Sequence, residues 1–119
     1  MVNVDTHILV FALTGEVTNR KRRVLASNTW SVSAIVYWEL AKLAQLGRID
    51  IDLDDADLVR TLSGIHVWPI DLAVSIQSSR LDFKSDPADE LIAATSIVHQ
   101  VPLLTRDRRI KGSRLVKFA

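Results

Sequence analysis

The sequence predicts an α/β fold, a mostly parallel sheet of about five strands with helices on both faces, filling one domain over residues 1–119. Three observations predict it. Short β-rich runs alternate with helical patterns of roughly ten residues or more, the rhythm of βαβ units. A length of 119 residues is enough for one core and not for two. Hydrophobic residues make up 48% and charged residues 24%, the balance of a globular protein and not of a disordered or fibrous one.

Each element has its own signal. Val2 to Asp5 reads as a short buried strand opening the domain. Thr6 is placed to cap a short helix through Ile8, Leu9, Phe11 and Leu13 that ends near Gly15. A basic helix follows over about Val17 to Ser27. Thr29 to Val32 alternates and is β-rich, the pattern of a second strand. Ser33 is placed to cap the next helix, Ala34 to Leu46, which Gly47 ends. An acid-rich start near Asp54 leads into a helix toward Leu62. His66 to Ile70 is a third strand, and Asp71 caps a helix running to about Leu81. Asp86-Pro87 opens the next helix with an N-cap Asp and a Pro at the first helical position. That helix is nearly all apolar through Leu91, Ile92, Ala93, Ala94, Ile97 and Val98, which predicts burial. Val101 to Thr105 is a fourth strand, and Arg114 to Phe118 a short last one.

Several function classes are excluded by what is missing. There is no cysteine, which removes disulfides, thiolate catalysis and Cys-based zinc sites. His7, His66 and His99 are scattered, with no pair spaced to share a helix face, so they read as structural or solvent-facing. No glycine-rich phosphate loop and no nucleophile elbow is present. No run approaches the roughly 18 apolar residues of a membrane span. The N-terminus lacks a basic leader, and Asp5 and His7 interrupt its apolar stretch, so a cytoplasmic protein is expected. The formal net charge is only +1, but the charges are segregated. Basic residues concentrate in Arg20-Lys21-Arg22-Arg23 and from Arg106 to Ala119, while Asp50, Asp52, Asp54, Asp55 and Asp57 crowd elsewhere. A near-neutral total can therefore hide a basic face.

In a parallel α/β sheet the ligand site lies outside the carboxyl ends of the strands. That rule sorts the acids. Asp5 ends the first predicted strand and Asp107 follows the fourth. Glu39 has Ile35, Val36 and Leu43 as helical neighbours, and a carboxylate in an apolar stripe is costly unless a cation compensates it. The bland alternatives are that Glu39 reaches past Trp38 into water or pairs with Lys42. Asp89 lies in the first turn after the Asp86 cap, where an acid also favours the helix dipole. Asp86 competes with Asp89 and is explained by capping. Crowded carboxylates repel one another unless a cation neutralises them. Hard divalent ions such as Mg²⁺ or Mn²⁺ prefer oxygen ligands, and they can orient a phosphodiester and activate a water. Trp30, Trp38 and Trp68 sit in apolar segments, which favours core packing over base stacking.

Four blocks in order, Val4-Asp5-Thr6-His7, Trp38-Glu39-Leu40, Asp86 to Thr95 and Leu104-Thr105-Arg106-Asp107, resemble a PIN domain, most closely the VapC toxins of prokaryotic toxin–antitoxin pairs. The resemblance spans essentially the whole chain, and the Asp86 to Thr95 block is its most specific part. It implies a PIN-like three-layer α/β/α sandwich and a Mg²⁺- or Mn²⁺-dependent endoribonuclease. It implies also a homodimer and inhibition by a cognate antitoxin. The catalytic and metal-holding acids carry over to Asp5, Glu39, Asp89 and Asp107, with Thr6, Thr105 and Asp86 as possible supports. The chain departs from relatives at Glu90, where Arg is frequent. On this reading a metal-activated water attacks the RNA phosphorus and leaves a 5′-phosphate and a 3′-hydroxyl. Arg106, Arg108, Arg109 and Lys111 are the candidate RNA-phosphate contacts, and Arg106 adjoins the site.

Two other readings compete. A phospho-accepting receiver-like module would use Asp71 after the third strand, Thr105 and Lys117, but it leaves Glu39 and Asp89 without a purpose. A catalytically silent scaffold that only binds RNA would not need all of the acids.

Overall fold

The computed structural model describes all 119 residues. The chain runs β1 (Val2–Val4), α1 (Thr6–Thr14), α2 (Asn19–Ala26), β2 (Trp30–Ser33), α3 (Ala34–Gln45), α4 (Ala56–Ser63), β3 (His66–Trp68), α5 (Leu72–Ser78), α6 (Pro87–His99), β4 (Leu103–Leu104) and α7 (Arg108–Lys111). The strands form one four-stranded sheet in the order β3-β2-β1-β4, and every pairing is parallel. Both faces of β1 are fully buried, as the expected three-layer sandwich requires.

The middle of the sheet explains how α6 sits. Asn3 pairs with Ser31 on one side and Leu103 on the other. Its amide donates to the Ile92 carbonyl at 3.3 Å and to Ser96 Oγ at 2.9 Å, so a polar side chain in the central strand finds its partners on α6. The facing stretch Ala93, Ala94, Thr95 and Ser96 is buried and small, which lets the helix approach closely. Val2 and Val4 alternate with Asn3 and join a core with Ile8, Leu9, Leu25, Val36, Leu40 and Ile110.

Most of the predicted elements appear, with instructive shifts. Ser33 caps α3 through the Ile35 amide, as expected. Thr6 does not cap α1. Extended Asp5 takes the N-cap position and Thr6 becomes the first helical residue, free to use its hydroxyl elsewhere. The basic helix begins only at Asn19, because the Thr18 side chain accepts the Lys21 amide and sets the start. Asp86 occupies the N-cap of α6 by backbone geometry, but its side chain makes no capping hydrogen bond, so capping does not account for it. The last predicted strand shrinks to a single parallel bridge between Leu103 and Phe118. Ahead of it, Asp107 caps a short helix that the sequence pattern did not predict, α7. Trp38 is 58% exposed and is not a core residue, whereas Trp30 is partly buried with its indole donating to the Leu25 carbonyl.

The sheet order also removes the receiver reading. A receiver sheet has the flavodoxin-like order 2-1-3-4-5, which sets its third strand beside the first. Here β2 lies between β1 and β3, and β3 is an edge strand. Asp71, which follows β3, is an exposed N-cap that accepts the Val74 amide. It is held away from Asp5 by a whole strand.

Candidate active site

The chain leaves β1 toward β2 and β3 on one side of the sheet, and β4 lies on the other. The topological switch point therefore falls between β1 and β4, the crevice where parallel α/β sheets bind ligands. Asp5 directly follows β1, and Thr105 directly follows β4. Both are buried at 2% exposure, and the Thr105 hydroxyl donates to Asp5 Oδ2 at 2.5 Å across that crevice. Thr105 Oγ1 in turn accepts the Asp107 amide at 3.0 Å, so one hydroxyl links the two aspartates. The other oxygen of Asp5, Oδ1, is buried and has no protein partner.

The remaining predicted acids arrive from separate helices. Glu39 lies on α3, half-buried, and Thr6 donates its hydroxyl to Glu39 Oε1 at 2.5 Å. It neither pairs with Lys42, which bonds Gln45, nor extends freely into water. Asp89 sits in the first turn of α6, and the Ser85 hydroxyl donates to its Oδ2 at 2.9 Å. Asp107 uses Oδ1 to accept the amides of Arg109 and Ile110. Each of the four acids is thus held through one oxygen, and the other oxygen makes no hydrogen bond to the protein.

Their electrostatics are coupled. Burial pushes the Asp5 carboxyl above the ordinary carboxylate range, and nearby Asp107 adds to the rise. The Thr105 hydroxyl, His7 and the Thr6 amide oppose it. Burial likewise raises Asp89 against the bond from Ser85, and the repulsion comes from Asp5, Asp107 and Glu39 together. The sheet and three helices therefore set Asp5, Glu39 and Asp107 within electrostatic reach of Asp89. Asp86 is exposed and is not among the groups that disturb Asp89 or Asp5. Glu90 is half-buried and turned to the Ser85 amide at 3.5 Å, so this departure braces the loop before α6.

A divalent cation fits this donor set in a particular way. No three of these side chains are close enough to ligate a single ion directly. The unpartnered buried oxygen of Asp5 and the free oxygens around it suit an ion gripped by one or two carboxylates with waters bridging to the rest. Mg²⁺, which sheds its waters reluctantly, is commonly held this way.

Among the basic candidates, Arg106 is exposed with its guanidinium 4.4 Å from the centre of the Phe11 ring. Arg108, Arg109 and Lys111 are exposed on α7. His66 and His99 flank Trp68, with His99 stacked on it at 4.0 Å, so both serve packing. Ser85 was not singled out from the sequence. Its signal was slight, a hydroxyl in the loop just ahead of a helix whose first turn carries an acid.

Comparison with known proteins shows the family of the chain and its fold. Residues 2–113 match the PIN domain. Ribonuclease VapC22 of Mycobacterium tuberculosis is 35% identical over 88 residues, covering 71% of this chain and 67% of that protein. Among solved structures, DNA-bound VapBC from Salmonella typhimurium has a TM-score of 0.76 at 17% identity, over 99% of this chain and 96% of that one. A toxin–antitoxin complex from Klebsiella pneumoniae has a TM-score of 0.74 at 21% identity, over 98% and 95%. VapBC2 from Rickettsia felis bound to a promoter DNA fragment has a TM-score of 0.73 at 19% identity, over 100% and 98%. These structures share the fold. The chain belongs to the PIN-domain family.

Proposed function

From this family membership we propose that the chain is a divalent-metal-dependent endoribonuclease and the toxin of a toxin–antitoxin pair. One observation carries the proposal: Asp5, Glu39, Asp89 and Asp107 converge at the β1–β4 switch point with one oxygen of each left unpartnered. The 35% identical relative is a ribonuclease, which supports RNA as the substrate. The toxin–antitoxin and VapBC complexes among the similar structures support an antitoxin partner. A second copy of the chain is the further expected partner. No helix is long and apolar enough to cross a membrane.

The division of labour follows from the hydrogen bonds. Thr105 fixes the Asp5 carboxylate, so that Oδ1 is the best-placed direct ligand. Thr6 sets the height of Glu39 on α3, and Ser85 turns Asp89. Asp107 gives one oxygen to the α7 amides and leaves the other free. The N-termini of α1 and α6 lie at this end of the sheet, and their dipoles favour the gathered negative charge. A bound Mg²⁺ or Mn²⁺ supplies charge neutralisation at the phosphodiester and acidifies a water for attack. Arg106 stands next to Thr105 and offers a donor fork to a phosphate.

Purified protein is expected to cleave RNA with Mn²⁺ or Mg²⁺ and to stop on addition of EDTA, with 5′-phosphate ends on the products. Cleavage that persists in EDTA overturns the metal-dependent reading. RNA binding without cleavage in either ion identifies the silent scaffold instead.

A further inference from the structure

Beside the carboxylates lies a second charged group, of opposite sign. Lys21 on α2 lines a cleft of about 240 Å³ with Phe11, Thr18 and Arg106. Arg20, its neighbour, lines a second cleft of about 210 Å³ with Lys111 and Thr105, floored by Leu103 and Leu104. The sequence sets these cations far apart, in two basic runs near opposite ends of the chain. The fold brings them together: Lys111, Arg20 and Arg106 all act on the Lys21 ammonium, which burial first and then these neighbours lower.

None of the four is neutralised by a carboxylate side chain. The one ion pair in the chain joins Arg60 to Asp57, elsewhere on the surface. Arg20 donates to the main-chain oxygen of Ala119, at 3.3 Å. Glu16 lines the first cleft but forms no ion pair there. Gathering like charges is unfavourable, and a polyanion relieves it by displacing condensed counterions. Thr105, which walls the second cleft, is also the residue that holds Asp5. The two charged groups are therefore contiguous.

We propose that Arg20, Lys21, Arg106 and Lys111 form a docking track for backbone phosphates of the RNA strand, flanking the phosphodiester held at the carboxylates. This rests on the ribonuclease reading. On this path a strand with one phosphodiester at Asp5 carries its next phosphates past Thr105, which lines one cleft, and Arg106, which lines the other. The track assigns a substrate role to α2, and it divides the basic C-terminal segment, taking Arg106 and Lys111 and leaving out Arg108 and Arg109. Phosphate contacts of this kind set position and register and carry no sequence information.

The test is binding of a short, labelled single-stranded RNA to the full chain in EDTA, by fluorescence anisotropy over a series of KCl concentrations. Arg20→Gln and Lys21→Gln are each expected to weaken binding several-fold and to reduce the slope of log K against log salt by about 0.7, one phosphate contact. The double variant should lose about twice that slope. Arg20→Lys should restore the slope, and Arg60→Gln should match the unaltered chain. In Mn²⁺, Lys21→Gln should raise KM for a long RNA several-fold with little change in kcat, and Arg60→Gln should leave both unchanged. Unaltered affinity and slope in both glutamine variants, with the fold confirmed by circular dichroism, overturn the track. Displacement of the RNA by polyglutamate of equal charge overturns it too, in favour of an acidic protein segment. The two readings fail separately. RNA that binds through Lys21 but is not cut defeats the nuclease and keeps the track. RNA that is cut with indifference to all four cations does the reverse.

Discussion

Two groups of acids in this chain have the same chemistry and opposite surroundings. Asp50, Asp52, Asp54, Asp55 and Asp57 are adjacent in sequence and all exposed. Their hydrogen bonds are local: Asp52 accepts the Asp54 amide, Asp55 caps α4, and Asp57 pairs with Arg60 at 3.2 Å. Asp5, Glu39, Asp89 and Asp107 come from four separate segments, are buried or half-buried, and are held by Thr105, Thr6, Ser85 and the α7 amides. The difference teaches that acid density along a chain marks a solvated turn, whereas a site is marked by long-range convergence at some cost in desolvation. Water and nearby amides satisfy the first group. The second is left with oxygens that no protein group satisfies.

The largest expected break between the groups is in activity. Asp5→Asn keeps the shape and the Thr105 partner but removes the charge, and RNA cleavage in Mn²⁺ should fall by about a hundredfold or more, given what loss of a preorganised charged group costs. Asp57→Asn, assayed alongside, should cleave like the unaltered chain. An active, folded Asp5→Asn protein would falsify the assignment of Asp5.

Next in size is the hydroxyl that joins two of the acids. Thr105→Val keeps the volume but removes the donor to Asp5 and the acceptor for the Asp107 amide. A buried group left unpaired costs about 1–3 kcal/mol, so the thermal midpoint should drop and cleavage should weaken by roughly tenfold. No comparable hydroxyl supports the exposed aspartates from a distance in sequence.

Stability against pH sharpens the comparison further. Burial holds the folded-state pKa of Asp5 and Asp89 above their unfolded values. The folded chain therefore keeps protons that the unfolded chain has released, and stability falls as pH rises from the ordinary carboxylate range through the raised values. Asp82 works in the opposite direction, held low by the Ser113 hydroxyl and the Arg114 amide. The informative quantity is therefore the difference between two chains. In EDTA, Asp5→Asn should gain on the unaltered protein as pH is raised from about 4 toward neutrality, read as thermal midpoints. A constant difference across that range would count against a desolvated Asp5.

The smallest effect is expected in the exposed group. Asp55→Ala removes the cap of α4 and should cost about 1 kcal/mol of stability, with specific cleavage activity unchanged. A loss of activity beyond the loss of folded protein would mean that the acidic turn does more than cap.

Legibility varied with the range of the interactions involved. Ser33 and Asp71 were readable as caps, and the acid-rich stretch near Asp54 as a helix start, because a cap is decided within three residues. Asp5 and Glu39 were readable because strand-end position and an apolar stripe are both local patterns. Asp86 misled, since an Asp before Pro looks like a capping pair, yet its side chain bonds nothing in the helix. The C-terminal strand also misled. Its β-rich residues had only the edge of the two-residue strand β4 to pair with, and a single bridge formed. Ser85 and the α2 cations passed unassigned because their significance lies wholly in what faces them.

The sequence by itself determined the alternation of strands and helices and most of the helix starts, and it singled out the candidate acids, Asp89 among them only through the family resemblance. The rest follows from periodicity and from side-chain chemistry within a few residues. Only the tertiary structure decided that β1 lies between β2 and β4, which sets Asp5 beside Thr105 and Arg20 and Lys21 beside Arg106 and Lys111. The reason is physical. A hydrogen bond between residues at opposite ends of the chain leaves no periodic trace in either segment. It exists only once packing has met the entropy of bringing those ends together.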